Sequence, residues 1–341
     1  MSSLLQVSSP VLAAPMAGGP STPELVVAAA GAGSLGFLAA GYRTAVALAA
    51  QLDQVSGALG GNAFGVNVFA PNPVPVDPSA FRRYAEELRP EADVFGLDLA
   101  GAALVENDDD WAAKVGLLLA RPAPVVSFTF ALPPAETVTA LRRAGTVVLQ
   151  TVTSTVEAQA AARLGVDGLI VQSAAAGAHS GTFTPRTFPT FRNLSDLVAS
   201  VRSVVDLPLI AAGGVGTPQD VTAALAAGAE HVMVGTVLLR TDESGASPVH
   251  KSALAAGAGD TVLTRAFSGR PARALRNGFV NRHHDSAPLG YPAVHHLTTP
   301  LRRAAAQAGD ADRVNLWAGT GFRHARTGPA KATLEHLAGH A

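Results

Sequence analysis

The sequence predicts an α/β protein, a (β/α)8 TIM barrel carrying an additional, mostly helical lid domain, and three observations carry that prediction. Four stretches repeat one unit: an Ala/Val/Leu-rich helical run, a Gly where the helix must stop, and a short apolar, β-branched run. Eight candidate strands alternate with such helical runs, the order a parallel sheet demands because each strand must return through a crossover. No Gly-x-Gly-x-x-Gly opens a helix after the first strand, so the mark of an open dinucleotide-binding sheet is missing.

The repeated units are Leu25–Leu38 around Gly31, Val138–Gln150 around Gly145, Val156–Gln172 around Gly165 and Val221–Gly235 around Gly228. Gly suits the left-handed position that ends a helix because it has no Cβ to clash. Helix starts are equally marked. Thr22-Pro23 and Thr217-Pro218 set a capping hydroxyl before a Pro at the first helical position, and Ser154 to Glu157 has the spacing of a capping box.

The candidate strands are Val11–Ala14, Ser34–Leu38, Phe64–Phe69, Val125–Phe130, Val147–Thr151, Gly168–Ser173, Leu209–Ala212 and Val232–Gly235. Their near-continuous apolar character fits a sheet covered on both faces. The barrel is expected over residues 1–245, with a helical insertion at about 78–120 read as two helices around the acidic Glu106–Asp110 turn. Residues 246–341 read as a helical extension without a good strand, packing over the barrel mouth, with His250–Ala256 and Thr299–Ala308 as its clearest helices.

Composition narrows the function. The chain has 341 residues, 48% of them hydrophobic and 15% charged, with a formal net charge of −1. One barrel of about 250 residues plus an appendage fits that length, and the absence of a basic patch argues against a nucleic-acid partner. There is no Cys, which excludes disulfides, thiolate metal sites and a Cys nucleophile. Met1–Gln6 has neither the basic start nor the apolar stretch of a signal peptide, and apolar runs break well before the roughly 20 residues that span a bilayer. A soluble, cytoplasmic protein with a small-molecule substrate is expected, and a homo-oligomer is left open.

In a barrel the chemistry sits at the carboxyl ends of the strands, with phosphate held after strands seven and eight. The loop after the seventh candidate strand contains Gly213 and Gly214 and leads into the helix capped by Thr217; the eighth strand ends in Met233-Val234-Gly235-Thr236. Glycines let backbone N–H groups approach an anion, and a helix N-terminus adds partial positive charge. The loop after the sixth strand is a run of small residues, including Gly177, that ends in His179. A flat ligand can lie against such backbone with the imidazole over it, and an imidazole titrating near pH 6.5 suits a general base without special tuning. Ala14-Pro15-Met16 follows the first strand. Asn67, Gln150 and Gln172 are amides near the ends of apolar strands, where each can donate to and accept from a heterocycle's edge. The pairs His283-His284 and His295-His296 lack a convincing ligand spacing, solvent exposure or structural hydrogen bonding is expected of them, and no metal is assigned.

These motifs, in this order, resemble the nitronate monooxygenases, formerly called 2-nitropropane dioxygenases. The resemblance runs from Ala14-Pro15-Met16 through Gly65-Val66-Asn67, Val125-Val126-Ser127-Phe128, Ile170-Val171-Gln172 with Gly177 and His179, Ala212 to Val215 and Gly235-Thr236, to Asn315-Leu316-Trp317-Ala318-Gly319. It implies FMN in a barrel with a helical second domain and an active-site His at position 179. Carried over by position, FMN contacts fall on Asn67, Gln172, Gly177, Gly214 and Met233 to Thr236. The stretch Thr264 to Arg273 also looks like the family's, without an assigned role. Ala175-Ala176 and Ser180 depart from the usual residues around the His, which places a different ligand pocket there.

The activity so implied is oxidation of alkyl nitronates, or of nitroalkanes, by O2 to a carbonyl compound and nitrite, with His179 as base for a protonated substrate or as anion-positioning group for a nitronate. The alternatives are an NAD(P)H-dependent FMN reductase acting on a quinone or an enoyl thioester, since fold and flavin site are shared while chemistry varies, and a phosphate-ligand binding barrel without catalysis.

Overall fold

The computed structural model describes residues 4–339, so residues 1–3 of the Met1–Gln6 start lie outside it. Its strands are β1 (Val11–Ala13), β2 (Phe37–Ala39), β3 (Gly65–Phe69), β4 (Val125–Thr129), β5 (Val147–Val152), β6 (Gly168–Gln172), β7 (Ala178–His179), β8 (Leu209–Ala212), β9 (His231–Val234), β10 (Thr261–Thr264) and β11 (Ala272–Leu275). Eight of them form one parallel sheet in the order β1-β9-β8-β6-β5-β4-β3-β2. Ala13 bridges Gly36, and its N–H donates to the Leu35 carbonyl at 3.0 Å, which joins the two ends into a barrel.

Alternation along each strand divides the apolar residues into two layers. Leu12, Phe37, Leu149, Ile170, Ile210 and Met233 pack together in the barrel interior. Val11, Val66, Val126, Val148, Val171 and Val232 face outward and pack with the surrounding helices. The helix Ala330–Leu337, near the end of the chain, belongs to that outer layer through Ala330, Leu334 and Leu337, so the extension returns from the mouth to close the helical ring.

The caps form as their chemistry predicts, with two differences. Thr22 accepts from the Leu25 N–H, and Thr217 with Asp220 makes a full capping box. Ser154 accepts from Glu157 N, but the Glu157 carboxylate turns to Thr153, the Thr182 hydroxyl and the Phe183 N–H. It thereby braces the segment that follows β7. Gly145, Gly165 and Gly228 all have positive φ. Gly31 instead stays in its helix, and Gly33 at φ 66° makes the turn, because two further residues are needed to bring the chain into line with β2.

The insertion contains three helices. Pro78–Glu87 and Arg89–Asp93 leave the barrel, whereas Trp111–Ala120 belongs to its helical layer through Leu118. The first two pack Phe81, Tyr84, Leu88 and Ala92 against Phe267, Phe279, Val294 and Leu301 of the extension. Tyr84 donates to the Ala266 carbonyl at 2.6 Å, and buried Glu91 pairs with Arg282, His283 and Arg313.

The extension is not purely helical. Strands β10 and β11 pair antiparallel, and β11 also pairs with β7, setting Ala272 opposite His179 and Arg273 opposite Ala178. These short strands lack the apolar run that marks the barrel strands, so their pairing exists only in the tertiary fold. Its helices at Pro248–Ala256 and Ala293–Ala308 start earlier than the sequence suggests. The second continues through Pro300, beside which the Thr299 hydroxyl and the Arg302 guanidinium both donate to the His295 carbonyl. Among the described residues no helix is long and apolar enough to cross a membrane.

Candidate active site

A cavity of about 680 Å³ lies at the carboxyl ends of the barrel strands, roofed by the extension. Its lining includes Ala14, Pro15, Met16, Asn67, Gln172, Gly177, His179, Gly213, Gly214, Met233, Val234, Gly235 and Thr236. The residues singled out from the sequence are thus brought together, except Gln150. Its neighbour Thr151 reaches the cavity, so period-two alternation turns Gln150 toward the helices. There its amide donates to the Phe128 and Thr151 carbonyls.

One end of the cavity is built from backbone. Gly213 and Gly214 have φ of 108° and 82°, and a Cβ on Gly214 would come within 2.8 Å of Ala175 Cβ. Among the described residues, no protein group accepts from the N–H groups of Gly213, Gly214, Val215, Gly235 or Thr236. Five backbone N–H groups without protein acceptors at one end of a cavity are what an anion would require. The helix start contributes less than the sequence suggests, because the Asp220 carboxylate already accepts from Gly216 N and Thr217 N.

The polar strand ends are partly committed. The Asn67 amide donates to the Ser127 carbonyl and to the Ser127 and Thr129 hydroxyls at 2.9–3.2 Å. Its carbonyl oxygen alone remains for a ligand, so Asn67 accepts rather than both donating and accepting. Gln172 accepts from Gly181 N at 2.7 Å and donates to the His179 carbonyl at 3.4 Å, stapling the loop that carries His179.

His179 is held from both sides. Ala178 sits in the left-handed region at φ 62°, and pairing with β11 fixes the chain there. The ring Nε2 lies 2.8 Å from the Ser268 hydroxyl. That hydroxyl is the only hydrogen-bond donor to the buried Arg270 carbonyl among the described residues. With its proton committed to the carbonyl, Ser268 Oγ accepts from Nε2–H, which leaves the imidazole lone pair on Nδ1. Phe130, Tyr291 and Trp317 wall the ring, with centroids 5.5–5.8 Å away. Burial, reinforced by the charges of Arg270 and Arg302, pulls its pKa down to about 3. The expectation of an untuned imidazole is therefore overturned: His179 is neutral throughout the physiological range because burial desolvates its charged form and the cations of Arg270 and Arg302 oppose a third positive charge in this enclosed space.

Several wall residues carry no sequence signal of their own. Tyr42 stacks on His295 at 4.1 Å and accepts a hydrogen bond from the Tyr291 hydroxyl at 3.2 Å. Of the two expectations for the paired histidines, exposure or structural hydrogen bonding, the second describes His283, buried between Glu87 and Glu91 and bonded to both, while His295 is buried and lines the cavity. His250 also lines it, bonded to the Trp317 carbonyl, and burial lowers its pKa to about 4. The stretch Thr264 to Arg273 now has a role: it supplies Ser268, the strand that pairs with β7, and Arg270, whose guanidinium lies 4.0 Å over the Phe130 ring. Among the described residues no His/Asp/Glu group could hold a metal ion.

Known proteins are similar to this chain along nearly its whole length. A probable nitronate monooxygenase of Staphylococcus aureus (strain Newman) is 32% identical over 341 residues, covering 99% of this chain and 95% of that protein. The crystal structure of a nitroalkane oxidase from Streptomyces ansochromogenes superposes with a TM-score of 0.90 at 45% identity, covering 98% of this chain and 96% of the other. FabK from Thermotoga maritima superposes with a TM-score of 0.75 at 27% identity, covering 98% and 93%. The family model for nitronate monooxygenase matches residues 1–339, and with the barrel, the backbone cradle and the enclosed His179 in place, the chain belongs to the nitronate monooxygenase family.

Proposed function

We propose that the protein is an FMN-dependent enzyme that oxidises alkyl nitronates, and nitroalkanes after proton removal, with O2 to a carbonyl compound and nitrite. Family membership supports the nitronate chemistry. The observation that carries the reading is the pairing, in one enclosed cavity, of a backbone anion cradle with a neutral imidazole whose lone pair is on Nδ1.

The residues fit FMN. The unpaired N–H groups of Gly213, Gly214, Val215, Gly235 and Thr236 would take its phosphate, on a turn packed so closely against Ala175 that a Cβ at position 214 would displace it. Ala14, Met16, Gly177 and Met233 offer apolar wall, and Asn67 and Gln172 offer polar edges. When bound, the flavin supplies the one-electron redox chemistry that no side chain here provides.

The protein's part is binding, orientation and proton placement. A nitroalkane whose α-carbon approaches Nδ1 can pass its proton there, and Nε2–H stays with Ser268 as the imidazolium forms. The charges of Arg270 and Arg302 oppose that imidazolium until the nitronate forms beside it, so proton transfer is coupled to anion formation. A substrate that arrives as nitronate needs no proton removed. The Nδ1 lone pair offers nothing to an anion, so positioning it falls to other groups of the wall.

The visible spectrum of the purified protein, followed after anaerobic addition of an alkyl nitronate, tests this reading. A flavin spectrum that bleaches with the nitronate, followed by nitrite release when O2 is admitted, is expected. Bleaching by NADH with no response to the nitronate would assign a reductase instead, and a colourless protein that takes up no FMN would overturn the flavin assignment.

A further inference from the structure

Arg302 is a cation in the cavity wall without a carboxylate partner. It projects from the helix Ala293–Ala308 and lines the cavity together with His295, Thr299, Tyr42 and His179. Its Nε donates to the Thr298 hydroxyl at 3.0 Å, and its Nη2 donates to the Thr299 hydroxyl at 2.8 Å and the His295 carbonyl at 3.0 Å, with His295 Nδ1 at 3.3 Å. Every one of these acceptors is neutral. No carboxylate of the described residues comes within ion-pair distance, and Nη1 donates to no protein group. Lys114 pairs with Asp109, and Arg282 and Arg313 pair with Glu91, whereas buried Arg270 also has no carboxylate of the described residues within ion-pair distance and bonds the Thr182 carbonyl instead.

The bond from Nη2 to the His295 carbonyl braces the helix turn that precedes Pro300, but a neutral amide would serve that purpose. It explains neither the charge nor the free Nη1. A guanidinium held by three hydroxyl and carbonyl acceptors, with Nη1 left over in an enclosed space, is pre-organised to give a charge-assisted hydrogen bond to an oxyanion.

Resting on the reading of the cavity as a nitronate site, we propose that Arg302 is the substrate's anion-binding residue. Its Nη1 edge takes a nitronate oxygen and so sets a preference for nitronates over neutral nitroalkanes. This role complements His179, whose proton-free Nδ1 faces the same space and cannot hold an anion.

Arg302→Gln and Arg302→Lys in the flavin-loaded protein test the proposal, using nitrate as a planar anion that cannot be oxidised. Nitrate should quench Trp317 fluorescence in the wild type and protect against nitronate turnover competitively. In Arg302→Gln the KM for a nitronate and the inhibition constant for nitrate should both rise about tenfold or more, the scale of a lost charge-assisted hydrogen bond. The KM for the neutral nitroalkane should stay within about twofold, since no full charge is bound in its ground state. Arg302→Lys, which keeps the charge and loses the fork, should fall between, and it carries the test alone if the Gln variant does not fold. Equal KM increases for both substrate forms would overturn the proposal, as would unchanged nitrate binding. A change confined to FMN affinity would assign Arg302 to the flavin rather than the substrate. Failure of the wild type to release nitrite would instead count against the nitronate reading itself, and nitrate binding would still report on the site.

Discussion

The Nε2 of His179 lies 2.8 Å from the hydroxyl of Ser268, a residue 89 positions later that reaches it from the extension. Because Ser268 in turn serves the Arg270 carbonyl, the pair decides which imidazole nitrogen carries the proton. Ser268→Ala should therefore release the tautomer and lower kcat for a nitroalkane by about tenfold, a modest share of what a general base contributes. Nitronate turnover should change far less. The comparison of the two substrate forms in one variant is the measurement.

His179→Asn removes the base altogether. Nitroalkane kcat/KM should fall by roughly 10² to 10⁴, the range for loss of a positioned general base, while nitronate kcat/KM falls much less. Equal losses on both forms, read by nitrite release, would refute the base assignment.

Acid sensitivity follows from buried neutral histidines. The pKa values of His179 and His250 are lowered to about 3 and about 4, chiefly by desolvation. Between those values and the ordinary 6.5 the unfolded chain binds protons that the folded chain refuses, so stability rises with pH across that window. It is complete above about pH 6.5 and is lost as pH falls through 4 and 3. Thermal melts should show Tm falling from pH 7 to pH 4, and His250→Phe should flatten that dependence. With a preformed nitronate, kcat/KM should show no limb near pH 6.5 from His179.

Gly214→Ala sets a side chain at φ 82° with its Cβ 2.8 Å from that of Ala175. The strain costs about 1 kcal/mol or more, and the new methyl, pressed against Ala175 and Thr320, displaces the turn that carries the free N–H groups. FMN affinity should weaken by about tenfold or more, seen as loss of bound flavin on dilution in gel filtration, with the fold retained by circular dichroism.

Glu91 joins the insertion to the extension through Arg282, His283 and Arg313. Glu91→Gln should destabilise the protein by about 2 kcal/mol, below the roughly 3–5 of a fully buried pair because solvent screens Arg282. Urea unfolding would measure it. A change below about 0.5 kcal/mol would show that apolar packing between Phe81 and Phe279 alone holds the two segments together.

The barrel was legible because its signals are local. A Thr before Pro23 or Pro218 caps a helix wherever it stands, and a run such as Leu209–Ala212 is apolar on both faces because both are buried. The backbone cradle was legible for the same reason, since Gly213, Gly214 and Gly235 adjoin the strands whose ends they shape. Gln150 was misassigned because its one-residue offset from Thr151, which faces the cavity, decides its face, and a loosely bounded strand prediction does not resolve parity.

The rest of the site is assembled from afar. Tyr42, Phe130, Ser268, Tyr291, His295, Arg302 and Trp317 come from segments far apart in the chain with no common spacing, and although Ser268 and Trp317 lie in stretches that resemble the family's, nothing local gives them a role. Strands β10 and β11 are equally silent until β7 gives β11 a partner.

By itself the sequence determined the barrel, the glycine turns at the ends of its last strands and the loop that bears His179, because propensity, capping and glycine geometry act within a few residues of one another. Only the tertiary structure decided the state of that histidine. Its neutrality, its tautomer and the unpaired cation that shares its cavity depend on burial and on charges brought together over more than a hundred residues, and desolvation is a property of the closed space rather than of any segment that lines it.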